Sequence, residues 1–209
     1  MRATLPEAGP AVLVSAVGSA EGSHGAAAAL ACAGADIDRA TLLIDVGGRP
    51  PRPALLASAA AQQLETRLVA HLPEARVAAR GHVCHLAVAA DIDGFETALA
   101  AATVARDELR VVHAAPASVQ PLLGLFEAVL SGVLLRADLP RDRPLLALAV
   151  RSLLGRVPRV AVLKHRLPWV AERRALFGAL PANANGSLPL PISRKLLSSS
   201  CYREPDGSR

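Results

Sequence analysis

Short apolar runs alternate with longer Ala- and Leu-rich stretches along most of this chain. Ala11–Ala16 (AVLVSA), Thr41–Val46 (TLLIDV), His82–Ala90 (HVCHLAVAA), Leu109–Ala114 (LRVVHA), Ser131–Arg136 (SGVLLR) and Arg159–Lys164 (RVAVLK) predict strands, with a further short strand at Arg67–Ala70. Several of these are continuously apolar and lack period-two alternation, which is what a sheet covered on both faces requires. Ala26–Ala35, Ala54–Glu65, Phe95–Ala105, Ser118–Leu125 and Arg143–Leu154 predict helices between them. Strands alternating with helices of about ten residues imply right-handed βαβ units and a parallel sheet. The expected fold class is therefore α/β, a parallel sheet with helices on both faces. Gly47–Pro53 (GGRPPRP) predicts a turn, because Gly and Pro break both regular structures.

After Leu180 the pattern stops. PANANGSLPLPISRKLLSSSCYREPDGSR is rich in Pro, Ser, Asn and Gly and has no sustained helical period, so residues 1–180 predict one domain and 181–209 a flexible basic tail. The 209 residues are 52% hydrophobic, 20% charged and only 2% aromatic, so the core is built from Ala, Leu and Val. The mean hydropathy of +0.33 raises the possibility of a membrane span. The best candidate, Leu122–Leu135, is too short and carries Glu127. Met1–Pro10 has no apolar stretch after Arg2, which argues against a signal peptide. Three scattered cysteines, Cys32, Cys84 and Cys201, do not make a disulfide framework and suit a reducing compartment. A cytoplasmic protein without a transmembrane segment is expected.

The charge is uneven. Residues 1–150 carry 12 Lys+Arg against 15 Asp+Glu, and residues 151–209 carry 11 against 3. A basic end suits nucleic acid, an anionic membrane surface or an acidic protein partner, and also a solvated tail.

The candidate chemistry lies after the first strand. Gly18-Ser19-Ala20-Glu21-Gly22-Ser23-His24-Gly25 joins that strand to AAAALA. In a parallel sheet ligands bind beyond the carboxyl ends of the strands. Glycines there let backbone N–H groups approach a phosphate at the head of the next helix. The alternative is a turn that only connects. The order of VSAVGSAEGSHGAAAALA, TLLID ending at Asp45, HLAVAADIDG and LRVVHAAP resembles the MinD/ParA family of P-loop ATPases over residues 11–165. That resemblance implies a P-loop NTPase-like three-layer sandwich and ATP or ADP as ligand. It implies a nucleotide-binding set of Gly18, Ser19, Gly22, Ser23, His24, Gly25, Asp45 and Asp91, with Asp91 or Asp93 as the Mg²⁺-binding carboxylate.

The departures from the family are chemical. Its GK[ST] places Lys on the β/γ-phosphates and a hydroxyl on Mg²⁺, whereas here Gly22 is followed by Ser23 and His24, and the family's second lysine falls near Val17. Losing that charge costs orders of magnitude in rate, and Glu21 adds repulsion. A degenerate, weakly binding or non-hydrolysing protein follows. It is similar to the TadZ/CpaE type of localisation protein in Tad pilus loci, which implies protein partners, a homodimer among them, and no catalytic residue.

Other readings stay open. Gly18, Gly22 and Gly25 approximate the glycine pattern of NAD(P)-binding Rossmann-like proteins, with Asp45 on the ribose, but Tyr202 is the only tyrosine and no YxxxK pair exists. A purely structural α/β interaction module is a further alternative. His82, Cys84 and His85 alternate across a strand and cannot all reach one ion, so no metal is expected, although His113 on another strand leaves a partner within reach. Lys164, Arg166, Trp169, Arg173 and Arg174 are candidates for a partner or anionic surface, unless Trp169 simply packs the last helix.

Overall fold

The computed structural model describes residues 9–17, 21–35, 39–51, 56–137, 142–164 and 177–178. In chain order these form β1 (Ala11–Ala16), α1 (Glu21–Gly34), β2 (Thr41–Val46), α2 (Ala59–His71), β3 (Arg76–Arg80), β4 (Val83–Val88), α3 (Ile92–Val104) and β5 (Leu109–Ala114). A single 3₁₀ turn (Pro116–Ser118) leads into α4 (Val119–Phe126), followed by β6 (Gly132–Ala137), α5 (Arg143–Leu153), β7 (Val160–Lys164) and β8 (Phe177–Gly178).

The strands make one sheet in the order β3-β4-β2-β5-β1-β6-β7-β8. Every pairing from β4 to β7 is parallel, and β3 and β8 close the two edges antiparallel. Helix α1 covers one face, packing Ala27, Ala28 and Ala31 against Val14, Leu43, Val111 and Leu134. Helices α2 to α5 cover the other, where Leu64, Leu68, Ala98, Phe126 and Val150 meet Leu13, Ile44, Leu86 and Val112. This is the α/β three-layer arrangement that the apolar strands predict, and Ala on α1 lets that helix lie close to the sheet.

Four expectations need correction. Helix α1 starts at Glu21, not Ala26, so Gly22 to Gly25 belong to its first turns rather than to a loop. The second helix runs 59–71, not 54–65, because Ser58 caps it with its hydroxyl on the Ala61 N–H at 3.2 Å. It absorbs the strand expected at Arg67–Ala70, since Leu68 follows Ala61 and Leu64 on one buried face. The sheet is not wholly parallel: β3 was not expected, and it pairs with β4 across Gly81 (φ +54°) and His82. Its terminal Arg76 and Arg80 are exposed, which shields a sheet edge from further pairing. The apolar stretch from 122 to 135 divides into the end of α4, a turn and β6. Among the described residues no helix is long and apolar enough to cross a membrane. The domain boundary at 180 and the tail over 181–209 lie outside the described residues.

Candidate functional site

Register places the site. In a parallel pair, residues in register project on the same side of the sheet, and Asp45 on β2 pairs with His113 on β5. On β4, His85 pairs with Leu43, two residues before Asp45 and therefore on the same side. All three face α1, Asp45 and His113 one residue from the carboxyl ends of their strands and His85 further back, in the first half of β4. The early start of α1 then carries Ser23 and His24 over that edge.

The contacts converge on one carboxylate. Asp45 Oδ1 lies 2.6 Å from His113 Nδ1, and Asp45 Oδ2 lies 3.1 Å from His24 Nδ1 and 3.7 Å from His85 Nε2. On the far side of its ring, His113 Nε2 meets Ser23 Oγ at 2.9 Å. Asp45, Ser23 and His113 are buried, while His24 and His85 are half-buried. Gly48 closes the site from above: a Cβ there would fall 2.0 Å from Asp45 Oδ2, so only glycine lets the chain turn over the carboxylate. Gly47 before it takes φ +75°.

Burial pushes the Asp45 carboxyl up. Hydrogen bonding from His113 and His24, the His85 ring 3.7 Å away and the electrostatic pull of His24 outweigh it and hold the group far below the ordinary carboxylate range. Asp45 is therefore ionised, and His113 Nδ1 carries a proton and donates to it. When that ring is neutral, Nε2 accepts from the Ser23 hydroxyl. The Ser–His–Asp connectivity is that of a hydrolase relay. Its hydroxyl, however, is wholly buried, and in this arrangement no carbonyl carbon can reach Oγ. The chain of bonds acts here as a satisfied polar network.

The expected nucleotide set is only partly brought together. Ser23, His24 and Asp45 meet, and Gly22 and Gly25 lie in the same helical turn. Gly18 and Ser19 lie outside the described residues. Asp91 stands apart. It follows β4 and heads α3, which packs on the sheet face opposite α1. Its carboxylate caps α3 by accepting the Gly94 N–H at 2.8 Å, and Asp93 is exposed in the same helix's first turn. Of the basic surface, Lys164 ends β7, while Arg166, Trp169, Arg173 and Arg174 lie outside the described residues. Cys84 points into the core on the face opposite His85, so the HVCH segment does not converge.

His85 and His113 are the residues that sequence reasoning left out of the site. The signal was present: Asp45 and His113 each interrupt an apolar strand at its penultimate position, in LLIDV and RVVHA. What was missing is that these two strands, far apart in sequence, are neighbours.

Comparison with known proteins bears on the fold alone. No family model matches the chain, and no curated protein matches it in sequence. Among solved structures it is similar to a ParA family ATPase from Chlorobium tepidum TLS, with a TM-score of 0.54 and 13% sequence identity over 76% of this chain and 74% of that one. The chain thus has a ParA/MinD-like, P-loop NTPase-like fold.

Proposed function

We propose that this ParA-like chain is a non-hydrolysing, cytoplasmic localisation or assembly factor, of the kind that serves a Tad-type pilus or secretion system, and that it binds ATP or ADP weakly or not at all. On this reading its partners are proteins, a second copy of itself among them. The basic end, including Lys164, Arg166, Trp169, Arg173 and Arg174, meets an anionic surface of membrane, nucleic acid or protein.

The donor set at the head of α1 carries the proposal. Phosphoryl transfer on this fold needs a cation at the β/γ-phosphates and oxygen ligands for Mg²⁺. The first lysine of the chain is Lys164. The hydroxyl at the head of α1, Ser23, is buried against His113, and the nearby carboxylate, Asp45, is ringed by three imidazoles. Mg²⁺ prefers an octahedron of oxygens and keeps several waters. These residues do not fit a Mg²⁺–nucleotide complex, and no hydrolytic step follows from them. The same enclosure removes Asp45 from a cofactor ribose, which weighs against the Rossmann-like alternative.

The test is nucleotide binding by calorimetry together with phosphate release, on purified protein with and without Mg²⁺. Binding weak or absent and release no faster than background is expected. Robust Mg²⁺-dependent turnover would refute the reading.

A further inference from the structure

We propose that His24, Asp45, His85 and His113 bind a borderline divalent transition ion, Zn²⁺ foremost, at the carboxyl edge of the sheet. One ligand atom each from His24, Asp45 and His113 lies within 4.8 Å of the others. A tetrahedral ion with bonds of about 2.0–2.2 Å holds its ligand atoms about 3.4 Å apart, so a contraction of at most about 1.4 Å brings these three to bonding distance. Half-buried His24, on the first turns of α1, has the freedom to supply it. The rings are already disposed for sharing an ion. His24 and His113 have centroids 5.3 Å apart and planes at 79°, and two imidazoles on one tetrahedral ion place their centroids about 5 Å apart.

His85 is the independent observation. Its Nε2 is buried, has no hydrogen-bond partner, and faces Asp45 Oδ2 at 3.7 Å. A buried imidazole nitrogen left unpaired costs desolvation energy. A cation between that nitrogen and the carboxylate satisfies both. It also places a positive charge beside the buried carboxylate.

Ser23 completes the arrangement. An ion held by His113 Nδ1 takes the place of the proton now shared with Asp45. The ring proton then sits on Nε2 and is donated to Ser23 Oγ, already 2.9 Å away. Such an outer partner fixes the tautomer of a ligating histidine and raises its basicity. Three imidazoles and one carboxylate select Zn²⁺, Co²⁺, Ni²⁺ or Cu²⁺ over Mg²⁺ and Ca²⁺.

The inference is independent of the localisation role. Absence of Zn²⁺ binding would leave the non-hydrolysing reading in place, and ATP turnover would overturn that reading without touching Zn²⁺ affinity. The experiment is calorimetric titration of Zn²⁺ into the full chain stripped with EDTA, repeated in excess Mg²⁺, with a Co²⁺ absorption spectrum. One equivalent binding at micromolar affinity or tighter, unaffected by Mg²⁺, is expected, with four-coordinate Co²⁺ bands and no thiolate charge-transfer band. His24→Gln and His85→Gln should each weaken binding at least about 10-fold. His71→Gln should not, because that ring lies on α2 with Nδ1 on the Arg67 carbonyl. No saturable binding, binding indifferent to both substitutions, or a thiolate band would overturn the proposal. If either variant loses its fold by circular dichroism, the Co²⁺ spectrum of the unaltered chain decides.

Discussion

Adjacent residues on β4 show how one strand divides its chemistry. His85 turns towards Asp45, and Cys84 turns into the core with no exposed surface. Burial pushes the Cys84 thiol up to about 12, and the nearby negative charge of Glu65 adds to the rise. A raised thiol pKa favours the neutral form in the folded state. Its contribution to stability is therefore complete below the ordinary thiol pKa of about 9 and is lost as pH rises from there through about 12. The thiolate is the reactive species. At pH 8, alkylation of Cys84 by iodoacetamide should be at least about 1000-fold slower in the native protein than in concentrated urea, read by peptide mass mapping. Equal rates in the two states would show that the strand is not packed as described. That Cys84 and His85 take opposite faces was legible in the sequence from strand alternation. The opposite fate of His85 was legible only as a parity, since the partner across the sheet was unknown.

At the scale of elements, helix starts decide where the functional side chains stand. The glycines of Gly22-Ser23-His24-Gly25 argue for a loop, because each costs about 1 kcal/mol in a helix relative to Ala. Packing of Ser23 against β5 and the run of alanines behind it outweigh that cost, and α1 begins early. Asp91 illustrates the reverse. A carboxylate after a strand suggests a metal ligand, but its side chain is used by the backbone of α3. Asp91→Ala should cost about 1 kcal/mol of stability in urea unfolding and leave both nucleotide and Zn²⁺ titrations unchanged. A lost ligand response would restore Asp91 to the site. Gly94 belongs to the same turn: a Cβ there would fall 2.1 Å from the Ala89 carbonyl oxygen, so the chain needs glycine to pass from β4 into α3.

For the molecule as a whole, the scarcity of aromatics concentrates stability in few places. Phe126, at the end of α4, is the largest fully buried side chain among the described residues and lies in the core shared by α2 to α5. Removing the ring leaves a cavity that the surrounding core can close only in part. Phe126→Ala should therefore cost about 3–5 kcal/mol, read as a lower urea midpoint at unchanged slope. A loss below about 1 kcal/mol would mean that α4 is not seated on the sheet. The two faces are unequal among the described residues: four helices share one core and α1 packs on the other face. The titratable cluster lies on the α1 side, where a single helix brings Ser23 and His24 to the strand ends.

The sequence by itself determined the class of fold, because continuous apolar strands separated by helical stretches are stable only when both sheet faces are covered. It also determined that no lysine stands at the head of the first helix. Tertiary structure alone decided that β5 lies between β1 and β2, since strand order depends on crossovers that leave no local trace. That one placement sets His113 beside Asp45 and turns scattered histidines into a single site.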